Sequence, residues 1–121
     1  MTFARFSDGT IESRHLTEPH HCGVDTVVHG GIQATLLDEA MGVAAQLGLA
    51  DTAGNGPCVT AEMQLAYRRP VPIADEVVVR ARLLEVDGRD LHIEGAIVGP
   101  GGELLTTATS RWRQLRDVPA T

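Results

Sequence analysis

Apolar residues recur at helical spacing through one stretch of the chain. Ile32, Leu36, Ala40, Val43 and Leu47 follow one another by four, four, three and four, which predicts an α-helix over residues 31–49. The segment Asp51-Thr52-Ala53-Gly54-Asn55-Gly56-Pro57 closes it with a glycine-rich loop. Beyond Pro57 the helical period gives way to strand patterns. Residues 58–68 form a first strand, closed by Pro70 and Pro72, which cannot continue a central ladder. Residues 76–86 form a second, with Val77, Val79, Ala81 and Leu83 on one face. Asp87-Gly88 marks a tight hairpin into a third over 91–98, with Leu91, Ile93 and Ile97 on one face. After the turn Gly99-Pro100-Gly101-Gly102, a last strand covers 103–115. Upstream, Ser7-Asp8-Gly9 is a turn signal, residues 11–16 read as a strand, and residues 17–29 as a loop. No repeat, low-complexity segment or linker interrupts the chain. One long helix beside an antiparallel sheet predicts a single α+β domain over residues 1–121.

The circumference of the helix is unusual. At about 100° per residue, Gly42, Thr35, Gln46 and Glu39 fall together in a narrow polar stripe. Nearly everything else is apolar or glycine, apart from Gln33 and Asp38. Such a helix must be buried on most sides, by a sheet that wraps it or by a second copy that covers it. Glu39 lies within the polar stripe, where a solvated carboxylate belongs. Asp38 lies at the edge of the apolar arc, between Ala45 and Leu49 in projection. A carboxylate there needs compensation, so Asp38 is either hydrogen-bonded structure or a functional acid/base.

Val28-His29-Gly30-Gly31 stands at the start of this helix. Two consecutive glycines allow close backbone approach, and their N–H groups lie at the positive end of the helix dipole. That is a ready site for an oxyanion, although a plain loop-to-helix turn has the same sequence. Asp38 follows His29 by nine residues, two and a half turns along. A substrate at one helix start does not easily reach that carboxylate within one protomer. Two protomers about a two-fold axis bring one Gly30 near the other Asp38.

Charge and composition exclude several functions. Ten basic residues against 16 acidic give a net charge of -6, which argues against nucleic acid as a partner. Aromatics are 3% of the chain, so stacking platforms for single strands are lacking as well. No apolar run approaches the ~18 residues of a membrane span. No secretory signal precedes the domain, so we expect a cytoplasmic protein with reduced thiols and no membrane association. The cysteines, Cys22 and Cys58, form no CxxC pair. His20, His21 and Cys22 make a trio, but no second cluster at metal-ligand spacing follows, so we expect a polar loop and no metal.

The stretch His29-Gly30-Gly31-Ile32-Gln33-Ala34-Thr35-Leu36-Leu37-Asp38-Glu39-Ala40-Met41-Gly42 resembles the central-helix signature of hotdog-fold acyl-CoA thioesterases. The branch is that of the phenylacetate-pathway enzymes and the mammalian thioesterase-superfamily members. The resemblance continues through Val59-Thr60-Ala61-Glu62-Met63-Gln64-Leu65-Ala66-Tyr67-Arg68-Arg69-Pro70-Val71-Pro72 and the Gly88-Arg89 hairpin, covering roughly residues 23–112. It implies a long helix wrapped by five or six antiparallel strands, and homodimers, often paired into tetramers, with two active sites at each dimer interface. It implies thioester hydrolysis with no cofactor and no metal. By the same resemblance Asp38 is the catalytic carboxylate, acting as general base or nucleophile. The Gly30 N–H is the oxyanion donor, His29 lies beside the substrate carbonyl, and Thr60 orients the hydrolytic water. Gly31, Glu39, Arg68 and Arg69 complete the substrate side. The arginines are candidates for the CoA phosphates, although an exposed arginine pair serves solubility equally well. One departure is Gly23, where some relatives carry an asparagine about six residues before the histidine.

Two other functions fit the same fold. A hotdog hydratase or dehydratase needs a different acid/base set, for which His92 is the spare histidine on a strand. A non-catalytic acyl-CoA-binding or regulatory domain needs neither Asp38 nor Thr60, and we expect no appended DNA-binding segment. The acyl group, whether aromatic, short or medium chain, is not readable from these residues.

Overall fold

The computed structural model describes residues 3–6, 8–18, 22–24, 27–52, 57–73 and 75–115. Ser7, His20, His21 and the loop residues 53–56, on which some of the expectations above fall, lie outside these. The elements run β1 (Ala4–Arg5), β2 (Ile11–Leu16), β3 (Cys22–Val24), β4 (Val27–Val28), α1 (Gly30–Thr52), β5 (Cys58–Tyr67), β6 (Glu76–Asp87), β7 (Asp90–Val98) and β8 (Leu104–Gln114). The strand expected over residues 11–16 has those bounds, and the later strands lie within a residue of expectation. The helix starts one residue earlier than expected and runs three further. The supposed loop over 17–29 contains the antiparallel pair β3–β4, and β1 adds a short strand beside β2. Elements of two or three residues are too short to show any alternation, so pattern alone does not reveal them.

Six strands form one antiparallel sheet in the order β1-β2-β6-β7-β8-β5. This is the hotdog arrangement, with α1 laid across one face. The inward side chains are those the alternation assigns: Val77, Val79, Ala81, Leu91, Ile93 and Ile97 are each at most 1% exposed. Against them the helix packs Leu37, Ala40, Met41, Ala44, Ala45 and Leu49, all buried. Each large side chain so buried contributes roughly 1.5–3 kcal/mol of transfer free energy. Thr35, Glu39 and Gln46 form the exposed stripe of the helix, as the projection predicts. Gly42, placed in that stripe by angle, is half-buried: the six-membered ring of Trp112 from β8 would lie 3.0 Å from a Cβ there. At mid-sheet, a Cβ on Gly95 would lie 3.0 Å from the Met41 side chain and 3.2 Å from Leu37. The missing side chain on β7 lets the helix settle onto the sheet.

The hairpin at Asp87-Gly88 is as expected. Asp87 pairs with Asp90 around a two-residue loop, and Gly88 supplies φ of 63°, which favours glycine. The start of α1 is tied down from both sides. The Val28 N–H donates to the Val71 carbonyl (2.8 Å), and Val27 bridges Pro72. Thr17, 1% exposed, donates to the Pro72 carbonyl (2.7 Å) and accepts from the Asp75 N–H (3.2 Å), fixing the end of β2 to the same loop. No helix among the described residues is long and apolar enough to cross a membrane.

Candidate functional site

At the first turn of α1 two adjacent N–H groups have different fates. The Gly31 N–H donates to Nδ1 of His29 at 2.9 Å. An acceptor at Nδ1 puts the ring proton on Nε2, which leaves that nitrogen free to donate outward. The Gly30 N–H has no acceptor among the described residues. Of the two glycines, then, Gly30 is the one whose N–H is available to a ligand at the positive end of the helix. The need for glycine here is spatial: a Cβ on Gly30 would sit 3.3 Å from the Tyr67 hydroxyl, and one on Gly31 would sit 3.1 Å from His29 Nδ1. Tyr67 donates to the Gly30 carbonyl at 3.0 Å and so closes the turn from β5. His29, Gly30, Gly31, Tyr67, Arg68 and Arg69 line an open groove of about 660 Å³.

Gln33 supports this turn from beneath. It is 4% exposed, donates to the Val28 carbonyl at 3.0 Å and accepts a short hydrogen bond from Thr106, itself fully buried. Sequence reasoning missed the roles of Tyr67 and Gln33. Gln33 carried a signal, as a polar residue inside the apolar arc. Tyr67, exposed at a strand end, carried none beyond its place in the motif.

Asp38 and Thr60 come together within one chain: the Thr60 hydroxyl donates to Asp38 Oδ1 at 2.9 Å. Asp38 is half-buried, at the edge of the apolar arc as its angle implies. Of the two readings left open for it, a hydrogen-bonded carboxylate is what the geometry contains, and its second oxygen is left for another partner. Glu39 points to solvent on the exposed stripe and does not join Thr60. Neither Asp38 nor Thr60 lines the groove at Gly30. Eight residues of helix separate Gly30 from Asp38, about 12 Å at 1.5 Å per residue.

Arg68 and Arg69 lie where β5 ends, at the rim of the Gly30 groove. Arg68 Nε donates to the Thr107 hydroxyl at 2.8 Å. Arg14, Arg80, Arg82, Arg111 and Arg113 each face a carboxylate within 4 Å. Arg68 and Arg69 face none among the described residues. Burial pushes the Cys58 thiol up, the reverse of what an activated nucleophile needs. His92 pairs across the sheet with Glu85 and Arg111, on the face away from α1 and the Gly30 groove. Among the described residues no group of three or more His, Cys, Asp or Glu could hold a metal ion.

Comparison with known proteins gives a consistent result. Residues 25–106 match the family model of the thioesterase superfamily. The chain is 33% identical over 78 residues to the acyl-coenzyme A thioesterase THEM4 of Mus musculus, covering 64% of this chain and 31% of that protein. It is 26% identical over 85 residues to acyl-coenzyme A thioesterase 13 of Homo sapiens, covering 70% of this chain and 58% of that one. The chain thus spans about a third to three-fifths of the length of these relatives. Among solved structures, a phenylacetic acid degradation-related protein of Ralstonia eutropha superposes with a TM-score of 0.79 at 24% identity, covering 93% of this chain and 83% of that one.

Proposed function

The chain belongs to the thioesterase superfamily, and from that premise we propose that it hydrolyses an acyl-CoA thioester to the free acid and CoA. The observation that carries this reading is the Thr60 hydroxyl on Asp38. Thr60 spends its proton on one carboxylate oxygen, so its lone pairs accept from a water whose other proton faces the second oxygen of Asp38. Held in this way, the water attacks the thioester carbon while Asp38 takes its proton as general base. Negative charge then develops on the carbonyl oxygen, against the Gly30 N–H and the positive end of α1, with His29 Nε2–H beside it. Collapse of the tetrahedral intermediate breaks the C–S bond, and the proton held by Asp38 passes to the departing CoA thiolate.

The two halves of this machinery are about 12 Å apart on one rigid helix. In the proposed enzyme each site joins Gly30 of one protomer to Asp38 and Thr60 of its partner. The edge strand β5 supports a homodimer. Among the described residues it pairs with β8 on one side only, and Val59 and Tyr67 on it are 42% and 56% exposed. A free edge of ten residues invites pairing with another strand, and a second copy satisfies it. Pairing of dimers into a tetramer belongs to the same proposal. Arg68 and Arg69, beside the Gly30 groove and facing no carboxylate among the described residues, suit the CoA phosphates. The overall charge of -6 does not oppose this, because a local basic patch suffices.

The test is Asp38→Asn, with thiol release followed over a panel of aromatic, short-chain and medium-chain acyl-CoAs. Loss of a general base lowers turnover by about 10²–10⁴, with the elution volume on size exclusion unchanged. Near-wild-type turnover by the Asn variant would sink the assignment and move attention to Glu39→Gln.

A further inference from the structure

Among the described residues β5 has one open edge, and two copies of it can meet in several alignments. Backbone direction limits the choice. The Arg68 N–H donates to the Leu105 carbonyl on β8 (2.9 Å). Counting back by twos, Ala66, Gln64 and Glu62 also turn their N–H and C=O groups to β8, while those of Tyr67, Leu65 and Met63 point to the open edge. Thr60 lies seven residues from Tyr67, an odd number that would set the two on opposite faces of a regular strand. The register shift between Thr60 and Glu62 leaves Ala61 unpaired and makes the count even. Thr60, opposite Trp112, therefore follows Met63 in the same row. Its hydroxyl meets Asp38 under α1, and its backbone points to the edge. The Leu115 N–H on the Pro57 carbonyl (2.9 Å) gives the same phase from the other end of β5.

We infer that the homodimer pairs β5 with β5 antiparallel about a two-fold axis at Gln64. Gln64 then opposes its own copy, Leu65 opposes the partner's Met63, and Tyr67 opposes the partner's Thr60. This rests on the thioesterase reading, in which Gly30 of one protomer works with Asp38 of the other. Tyr67 holds the Gly30 carbonyl and Thr60 holds Asp38, so setting these two strand residues opposite each other brings the half-sites together. An axis normal to the sheet also keeps both helices on one face. Opposed residues of an antiparallel pair face the same side, so the axis moves only in whole residues. Each step slides the partner by two residues, about 7 Å. One step either way sets Tyr67 against the partner's Met63 or the partner's Cys58, and carries the Gly30 turn away from the carboxylate by that distance. Two steps toward residue 58 set Glu62 against its own copy, a like-charge contact. With the axis at Gln64, the inward pairs of Leu65 and Met63 are apolar, and the outward pairs oppose no like charges.

Gln64 turns its own N–H and C=O away from the edge, so it forms a non-hydrogen-bonded pair with its copy. The Cα atoms of such a pair lie about 4.5 Å apart, within disulfide reach. The test is Gln64→Cys in the full chain carrying Cys22→Ala and Cys58→Ala, oxidised with diamide and run on a gel without reductant. Gln64→Cys gives a covalent dimer. Ala66→Cys in the same background does not, because its two copies lie four positions apart, about 14 Å. Cross-linking of Ala66→Cys alone, of both variants equally, or of neither overturns the inference. A crystal structure of the unsubstituted chain gives a second readout, and a two-fold axis through any other residue of β5 overturns the register as well. Neither readout depends on activity. If Gln64→Cys cross-links while Asp38→Asn keeps parental turnover, the register stands and the thioesterase mechanism fails.

Discussion

The buried pair Gln33–Thr106 makes a sharp prediction about what holds the helix start in place. Gln33 serves two groups that cannot reach water, the Val28 carbonyl and the Thr106 hydroxyl. Gln33→Met keeps the side-chain volume and orphans both. At about 1–3 kcal/mol for each buried group left without a partner, the expected loss is about 2–6 kcal/mol. Thr106→Val, also nearly isosteric, orphans only Gln33 Oε1 and costs about 1–2 kcal/mol. The decisive quantity is their combination. Once Gln33 is gone, the Thr106 hydroxyl is already unpaired, so replacing it by a methyl group removes a liability. Thr106→Val in the Gln33→Met background is therefore neutral or stabilising. Urea unfolding at one fixed protein concentration measures this, and with a slope of about 1–3 kcal/mol per molar, a 2 kcal/mol loss moves the midpoint by ~1 M. If Thr106→Val costs the same in both backgrounds to within about 0.5 kcal/mol, the pair is not coupled and the argument fails.

Two further outcomes follow from the same geometry. Gly95→Val puts a branched side chain where even a Cβ lies 3.0 Å from Met41, and should cost about 1–3 kcal/mol by overpacking; a melting temperature equal to the parent's would show that α1 has room to lift. Arg68→Ala with Arg69→Ala should raise KM for acyl-CoA about tenfold or more with kcat little changed, an effect that shrinks with added salt. An unaltered KM at low ionic strength would assign the arginines to solubility.

Much of the fold is written in the apolar pattern because most strands are long enough to alternate. β6 and β7 read correctly as to face and length because Val77, Val79, Leu91 and Ile93 each meet the same helix. β1, β3 and β4 are held by pairing and bridges, such as Val27 with Pro72, which depend on distant residues and leave no local period. At the site, Asp38 is marked by its angle on the helix, and the His29-Gly30-Gly31 turn by its glycines. Thr60 is different: alternation carried back from Met63 favours Val59 facing inward, and residue order alone gives no sign of the register shift between Thr60 and Glu62 that turns Thr60 in instead. Its role came from resemblance, and only the register with β8 supplies the physical reason. Tyr67 belongs to the same class, since its contact with Gly30 joins residues 37 apart in the chain.

The sequence asked for a helix buried on most sides, and the sheet covers it on all but a narrow stripe. The six strands take the arc from Leu37 to Leu49, leaving Thr35, Glu39 and Gln46 exposed with Asp38 at the boundary. A carboxylate at such a boundary takes one hydrogen bond from Thr60 and is covered on its outer side only if another surface arrives. Among the described residues the groove at Gly30 has the opposite shortage, an N–H without an acceptor and the His29 Nε2 with no carboxylate along its walls. A helix of fixed rise cannot bend to join them. In the proposed reaction the two incomplete halves are complementary in chemistry, an oxyanion donor without a base and a base without an oxyanion donor. With β5 left as an open edge next to Thr60, a second copy of the chain is the simplest source of what each half lacks.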